Sequence, residues 1–386
     1  MDFRLNDEQI QLQDTARRFV RTELTALAQE LEREDRPVPL EWRRRLAEMG
    51  FLGVNVSTEY GGLGLGNIEA LLVLEEFAKV SSALAFPVFE SSVGPIRAIE
   101  HFAQDSLRQR VIPSVCAGDI VVAIAMSEPG AGSALTDLTT RAQIKNDQIT
   151  ITGQKRWCSG GGHADAYLVY CRLSDEPGAR GIGAVYVEKN TPGLSFGKPE
   201  QLMGFRGIAS ADIFFDAVSV PLDHLVVPAG GFKQLMQAFD LERCGNATMS
   251  LGLAAGALED AVDYVQERQQ FGKPIVDFQA VQLKLAEMAM RVEGTRLLIQ
   301  RAAQNANDGL PSIYESSVAK CFANEMAREV CGHALQLLGA YGYSKAYPME
   351  QRLRDAWGWG IAGGTIDIQK VNIAAALIGR RFDQRT

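Results

Sequence analysis

Ala166-Tyr167-Leu168-Val169-Tyr170 is the stretch whose reading decides the fold. It is short, apolar and rich in β-branched and aromatic residues. Similar runs flank it: Ile149-Thr150-Ile151-Thr152 before, Ile182-Gly183-Ala184-Val185-Tyr186-Val187 and Asp212-Ile213-Phe214-Phe215 after. Gly, Pro and Asp punctuate the gaps. Strand-forming runs at this length and spacing predict a compact antiparallel barrel or sandwich over residues 121–228.

The texture on either side is helical. Over residues 1–120, Asn6 followed three places later by Gln9 predicts a capping box. Ala16, Phe19, Val20, Leu24, Leu27 and Leu31 then recur at roughly helical spacing, and Pro37 and Pro39 end the segment. Further helices are predicted over about 40–49, 67–80 and 92–117, joined by the turn Tyr60-Gly61-Gly62-Leu63-Gly64. Over residues 229–386 long helical patterns return. One runs from Asp277 to Ala303, with Val281, Leu285, Met288, Val292, Leu297 and Leu298 on a stripe; others cover 312–338 and 366–381. The reading is an α+β multidomain chain: helices, a middle β domain, then a helical bundle.

Composition narrows the function. A chain of 386 residues exceeds one ordinary core, so two or three domains are expected. Its 46% apolar and 22% charged content is that of a globular protein. A net charge of −8 argues against nucleic acid as a partner, since phosphate binding needs a basic face. Six cysteines (Cys116, Cys158, Cys171, Cys244, Cys321, Cys331) form no CxxC pair and no metal-like group with the four histidines, so reduced thiols and no metal are expected. No apolar run approaches the ~18 residues that span a membrane. The acidic start, Met1-Asp2-Phe3-Arg4-Leu5-Asn6-Asp7-Glu8, does not fit a transit or secretory peptide, and the chain is read as a mature cytoplasmic protein, bacterial in character.

Several stretches could carry chemistry. Met126-Ser127-Glu128-Pro129-Gly130-Ala131-Gly132-Ser133 is a Gly-rich turn, either a cradle of backbone N–H groups or a plain turn. Gly153-Gln154-Lys155-Arg156-Trp157-Cys158-Ser159-Gly160-Gly161 puts a tryptophan in a β segment, where core packing is the commonest role. Arg268-Gln269-Gln270-Phe271-Gly272 carries an arginine that, taken alone, reads as a solvated surface group. Asp240-Leu241-Glu242-Arg243, taken alone, reads as a charged helix turn with a local ion pair.

Taken together and in this order, these stretches resemble the signatures of the acyl-CoA dehydrogenase family, and the resemblance spans nearly the whole chain. Met126 to Ser133 resembles the family's TEPGAGS motif, which implies Met126 and Ser127 at a flavin and Ser133 at flavin or thioester substrate. Gly153 to Ser159 resembles GxKxWIT(N/S); Trp157 would flank the isoalloxazine ring and Ser159 would supply the hydroxyl near N5, where a donor stabilises the charge that arrives with hydride. Arg268 and Phe271 with Gln279 resemble RxxFG, and Gln336-Leu337-Leu338-Gly339-Ala340-Tyr341-Gly342 resembles QxxGGxG. Both imply contacts of Arg268, Phe271, Gln279, Gln336, Gly339 and Ala340 with FAD, the arginine reaching the FAD of a neighbouring subunit and so implying an oligomer, a homotetramer. Thr365 and Asp367 match phosphate-side positions, Asp367 replacing a longer side chain.

The decisive departure lies at the base. Leu353-Arg354-Asp355-Ala356 leads into Ile361-Ala362-Gly363-Gly364-Thr365, where most of the family reads RDA and then EGT, so Gly363 stands where the usual glutamate would be. Phe239-Asp240-Leu241-Glu242-Arg243 supplies a glutamate instead, as in the isovaleryl-type branch. The resemblance then implies Glu242 as the base removing the α-proton while flavin N5 takes the β-hydride, and the N–H of Gly363 as a donor to the thioester oxygen. Desolvation between flavin and ligand should raise the Glu242 pKa. Phe239, Asp240 and Arg243 are assigned beside the substrate. Ala362 and Gly363 free volume near Cα and Cβ, while Phe86 and Phe89 line the far end of the tunnel, which suggests a branched, cyclic or aromatic acyl group. Trp357 and Trp359 are read as packing between helices. The expected partners are an acyl-CoA and an electron-transfer flavoprotein. The alternatives are related thioester chemistry, either desulfination or a carrier-bound substrate, and a noncatalytic subunit of a hetero-oligomer.

Overall fold

The computed structural model describes residues 4–382 and 384; the residues Met1–Phe3, on which part of the targeting reading rests, lie outside them. Helix α1 (Asp7–Phe19) opens on the expected capping box, with Asn6 and Gln9 each accepting the other's backbone N–H. A π-helical turn, Val20–Leu24, carries it into α2 (Thr25–Glu34). Helices α3 (Leu40–Glu48), α4 (Asn67–Val80), α5 (Ser82–Ser92), α6 (Ile96–Phe102) and α7 (Asp105–Cys116) complete the first helical part. Two features differ from expectation. The segment read as one helix over 92–117 is broken at Ala103 and Gln104, and α5 was not foreseen. Nearly every residue of α5 is buried, so it lacks the polar face that makes a helix periodic in sequence.

The strands β1 (Val122–Ala125), β2 (Arg141–Lys145), β3 (Gln148–Ser159), β4 (Ala166–Arg172), β5 (Ile182–Glu188), β6 (Leu194–Phe196), β7 (Ser210–Pro221) and β8 (Leu225–Val227) form one sheet, ordered β6-β7-β3-β2-β4-β5-β8 with β1 beside β4. Its pairs are antiparallel except at β4, which runs parallel to β1 and to the end of β2. The long excursion between β1 and β4 makes the parallel pair reachable, and strand composition does not encode that direction. Strand β4 is buried on both faces, which is why it reads as a continuous apolar run. Tyr167, Val169 and Cys171 pack against Ile149, Ile151, Val185 and Phe215. Leu168 and Tyr170 face the other way, into a core shared with Ile96, Ile99, Leu235 and Ala238.

The C-terminal part is built on α8 (Phe232–Glu267), a 36-residue helix. After the β9–β10 hairpin (Gln269–Gln270, Lys273–Pro274) come α9 (Gln279–Gln304), α10 (Ile313–Leu338), α11 (Ala340–Tyr343), α12 (Met349–Trp359) and α13 (Ile366–Ile378). From Ala238 to Ala257 helix α8 is buried on nearly every side because it packs against α4, α9, α10 and α12 and also lies on the outer face of the sheet. Where α8 crosses α5, Gly245 leaves no room for a Cβ against Val93 and Phe89. The RDA signature fastens this bundle to the sheet: Asp355 accepts the Phe205 N–H at 2.7 Å, and Arg354 donates to Met203 O and pairs with Glu32 and Glu350. Trp359 packs on Phe89 and Phe205, as expected, whereas Trp357 is exposed and stacks under the Arg328 guanidinium at 4.1 Å. All six cysteines are buried and free. Among the described residues no group of His, Cys, Asp and Glu could hold a metal, and no helix is long and apolar enough to cross a membrane.

Candidate active site

Between Ala238 and Ala257 on α8, Glu242 is the one side chain that is not buried. It keeps some accessible surface where its neighbours along the helix are buried. Phe239 and Asn246 share its helix face at i−3 and i+4, and Arg243 follows at i+1. A Cβ built on Gly363 would lie 3.6 Å from Phe239 Cζ and 3.5 Å from Asn246 Nδ2. The structure therefore brings Glu242 and Gly363, 121 positions apart in sequence, to one place.

Among the described residues Glu242 makes no ion pair. The local pair is Asp240 with Arg243, and Asp240 also accepts from Ser316 Oγ at 2.8 Å. Arg243 lies over the Phe239 ring at 5.1 Å. Burial pushes the Glu242 carboxyl up to about 8, against the opposing pull of Arg243 and Lys320. Tyr170, on the sheet face below, is raised first by burial and then by the Glu242 charge.

Gly363 has φ +65 and Gly364 φ +84, a left-handed turn that a side chain would strain. The N–H of Gly363 finds no acceptor among the described residues. Three carbonyls around it are held by side-chain donors. Asn246 Nδ2 donates to Trp359 O and Ala362 O, both at 3.3 Å. Lys320 Nζ donates to Trp359 O at 3.3 Å and Gly364 O at 2.9 Å, and Gln369 also donates to Gly364 O. The loop is thus fixed by its carbonyls and leaves the Gly363 N–H unspent among the described residues.

The residues assigned to the flavin fall into two groups. In the first, Lys155 Nζ donates to Met126 O at 2.9 Å and pairs with Glu128 at 2.8 Å, while the Arg156 N–H donates to Ser127 O. Burial opposes ionisation of Glu128, but Lys155 and the hydrogen bonds from Thr140 and Thr139 outweigh it and hold the carboxyl at about 2. This buried pair pins the turn 126–133 to β3. A bulge between Lys155 and Cys158 then turns Trp157 outward with φ 62, so its ring is 54% exposed and lies under Arg156 at 4.3 Å. A left-handed, exposed tryptophan in a strand is strain of the kind found at ligand sites. Beside it, Gly130 and Gly132 face open space, Ser133 is exposed, and Ser159 is half-buried. A shelf of one aromatic plane with nearby hydroxyls and free backbone suits a planar heteroaromatic cofactor.

The second group lies elsewhere. Arg268 stands over Tyr341 at 5.7 Å; Phe271 is 92% exposed; Gln279, Gln336, Gly339 and Ala340 are exposed around it. From Glu242 to Arg268, 26 residues of helix span about 39 Å. Within one protomer the structure does not bring these residues to Glu242. Thr365 caps α13 by accepting the Ile368 N–H, and Asp367 is exposed in its first turn. Phe86 is half-buried and stands 3.7 Å from a Cβ built on Gly160, beside the Trp157 shelf, while Phe89 packs on Trp359.

Four buried polar residues escaped the sequence reading: Asn246, Lys320, Asn324 and Glu90. Burial lowers Lys320 to about 7, with the Arg243 charge the next contribution. Glu90 is buried with Oε2 unpartnered, and burial first and Glu242 second raise it well above the carboxylate range. The available signal was a polar residue inside an otherwise apolar helical run, as in Ala319-Lys320-Cys321-Phe322-Ala323-Asn324.

Comparison with known proteins bears on this arrangement. Residues 6–119, 123–218 and 229–378 match the N-terminal, middle and C-terminal domain models of acyl-CoA dehydrogenases. The chain is 38% identical over 390 aligned positions to a 3-sulfinopropanoyl-CoA desulfinase of Paraburkholderia xenovorans, covering 99% of each. It is 36% identical over 377 positions to an acyl-CoA dehydrogenase of Bacillus subtilis, covering 97% of this chain and 99% of that one. The structure of butyryl-CoA dehydrogenase from Megasphaera elsdenii superposes with a TM-score of 0.93 at 32% identity, covering 98% of this chain and all of that one.

Proposed function

This chain belongs to the acyl-CoA dehydrogenase family, and on that premise we propose that Glu242 is the base that removes the α-proton of its substrate. The general reaction comes with the family: FAD-dependent oxidation of an acyl-CoA between Cα and Cβ. The bound flavin supplies the acceptor for the β-hydride. The rest is the work of this chain's residues. Glu242 has no ion pair among the described residues to neutralise it, and its carboxyl, pushed up to about 8, is a strong base once ionised. The Gly363 N–H donates to the thioester oxygen as negative charge grows there. Trp157, Ser159 and the turn 126–133 would hold the flavin. The observation that carries the reading is that Glu242 alone between Ala238 and Ala257 is not buried, on the helix face whose Phe239 and Asn246 flank Gly363.

Substrate follows from volume. Gly363 and Ala362 leave room beside Cα and Cβ, while Phe86 and Phe89 crowd the wall beyond, which favours a branched, cyclic or aromatic acyl group as in the isovaleryl-type branch. Asp240, held by Arg243 and Ser316, supports the pocket from behind. Arg268, Phe271, Gln279, Gln336, Gly339 and Ala340 serve the FAD of a neighbouring subunit, since they stand far from Glu242 along α8, and a homotetramer satisfies this. The electron partner would be an electron-transfer flavoprotein, and the enzyme works in the cytoplasm.

The similarity to a desulfinase supports a second reading, loss of a sulfino group from a 3-sulfinoacyl-CoA. Anaerobic addition of straight, branched and cyclic acyl-CoAs to the flavin-loaded protein tests both. Bleaching of the flavin with an α,β-unsaturated product supports dehydrogenation. Sulfite release from 3-sulfinopropanoyl-CoA, with no bleaching by any saturated acyl-CoA, overturns it.

A further inference from the structure

Peptide planarity makes the direction of one amide group readable from its neighbour. The carbonyl of Ala362 and the N–H of Gly363 belong to the same peptide unit and point in opposite directions. Asn246 Nδ2 donates to that carbonyl at 3.3 Å and to Trp359 O, also at 3.3 Å. Whatever holds the Ala362 carbonyl therefore aims the Gly363 N–H.

Asn246 is itself held. Its Oδ1 accepts from Asn324 Nδ2 at 3.0 Å, and Asn324 Nδ2 also reaches Ser250 Oγ at 2.8 Å. Asn324 Oδ1 accepts from Lys320 Nζ at 3.0 Å. The two remaining donors of Lys320 go to Trp359 O and Gly364 O, on either side of the Gly363 turn. Asn246, Ser250, Lys320 and Asn324 are all buried. A network so enclosed and so fully paired holds one geometry, because any other leaves a donor unmet in a dry interior.

We propose that Asn246 is a positioning residue that aims the Gly363 N–H at the thioester oxygen, with Lys320 and Asn324 holding it in place. This rests on the dehydrogenase reading of the site. It also gives α8 two tasks one helical turn apart: Glu242 takes the proton, and Asn246 directs the donor that stabilises the resulting negative oxygen. Moving the base to α8 removed the side chain at 363 but placed both parts of the reaction under control of one rigid helix.

The test uses flavin-loaded protein, Asn246→Ala, and pivaloyl-CoA, a thioester with no α-hydrogen. Isotope-edited infrared spectroscopy reads the carbonyl stretch of the bound thioester, which falls as the oxygen is polarised. In the wild type the stretch lies below its value in water. In Asn246→Ala it returns toward that value, ligand affinity changes by less than about threefold, and flavin reduction by an oxidisable acyl-CoA slows by about 10²-fold, the scale of one misplaced oxyanion donor. Lys320→Met shifts the stretch in the same direction. If Lys320→Met does not accumulate folded, Asn246→Ala carries the test alone, since it unpairs no charge.

An unshifted stretch in Asn246→Ala overturns the proposal even if the rate falls, because a general loss of structure would not leave the carbonyl polarised. If no acyl-CoA reduces the wild-type flavin, the dehydrogenase reading fails, while the infrared comparison still decides what Asn246 does to a bound thioester. A wild-type protein that leaves the carbonyl unpolarised overturns both.

Discussion

Replacing Glu242 by glutamine should stabilise the folded protein, by an amount that grows with pH. A carboxyl raised from 4.5 to about 8 on folding holds its proton more tightly in the folded state. Stability from this group is therefore unaffected below pH 4.5 and is lost as pH rises from there to about 8. Glutamine does not titrate and escapes the loss. Linkage puts the gap between the two proteins at about 1 kcal/mol at pH 5 and about 3 kcal/mol at pH 7. An unfolding entropy of about 2.1 cal/mol/K per residue over 386 residues converts these to a gain in Tm of about 1 °C and about 4 °C. The assay is a thermal melt of both flavin-loaded proteins at matched concentration, in steps from pH 5 to pH 8. A glutamine variant that melts lower, or a difference that does not change with pH, would refute the claim that this carboxyl sits desolvated in the cavity.

Other expectations follow from the same geometry. The rate of flavin reduction should rise with pH and level off above an inflection near 8, since only ionised Glu242 accepts a proton; stopped-flow absorbance across pH 6–9 checks this. Glu90→Gln should leave that inflection within half a unit, because Glu90 is already held protonated; a larger shift in the stopped-flow profile would show that it carries charge. The double variant Glu242→Thr with Gly363→Glu should regain part of the activity and favour unbranched chains in an acyl-CoA panel, since a Cβ at 363 meets only ordinary contacts at 3.5–3.6 Å. Gly363→Glu should also make it about 1–2 kcal/mol less stable than Glu242→Thr alone in a thermal melt, for a left-handed residue at φ +65. Arg268→Ala should release FAD during gel filtration while leaving the Glu242 cavity intact; full retention of FAD by a monomeric form would contradict the shared-subunit reading.

Much of this was legible in the sequence. Helices α1, α3, α4, α9 and α10 and strands β3, β4, β5 and β7 carry periodic or β-branched patterns that local physics makes readable. Helix α5 was not legible, because burial on all sides erases the amphipathic stripe, and Pro87 inside it argues against a helix. Strand direction was equally hidden: nothing in Val122–Ala125 marks it as parallel to β4.

At the site, the pairing of Glu242 with Gly363 could be inferred because each departs from a motif. Asn246, Lys320 and Asn324 belong to no motif, and their importance arises from packing that joins α8, α10 and the turn after α12. Trp157 lay between the two cases. Its identity was readable, but its exposure depends on a bulge whose register only the sheet reveals.

The most direct measurement is the reduction of bound flavin by a branched or cyclic acyl-CoA, followed anaerobically in the wild type and in Glu242→Gln. With Glu242 as the proton acceptor, the variant binds the ligand with nearly unchanged affinity, and its flavin stays oxidised on the timescale in which the wild type bleaches. Bleaching of both proteins at the same rate would mean that the α-proton leaves by another route.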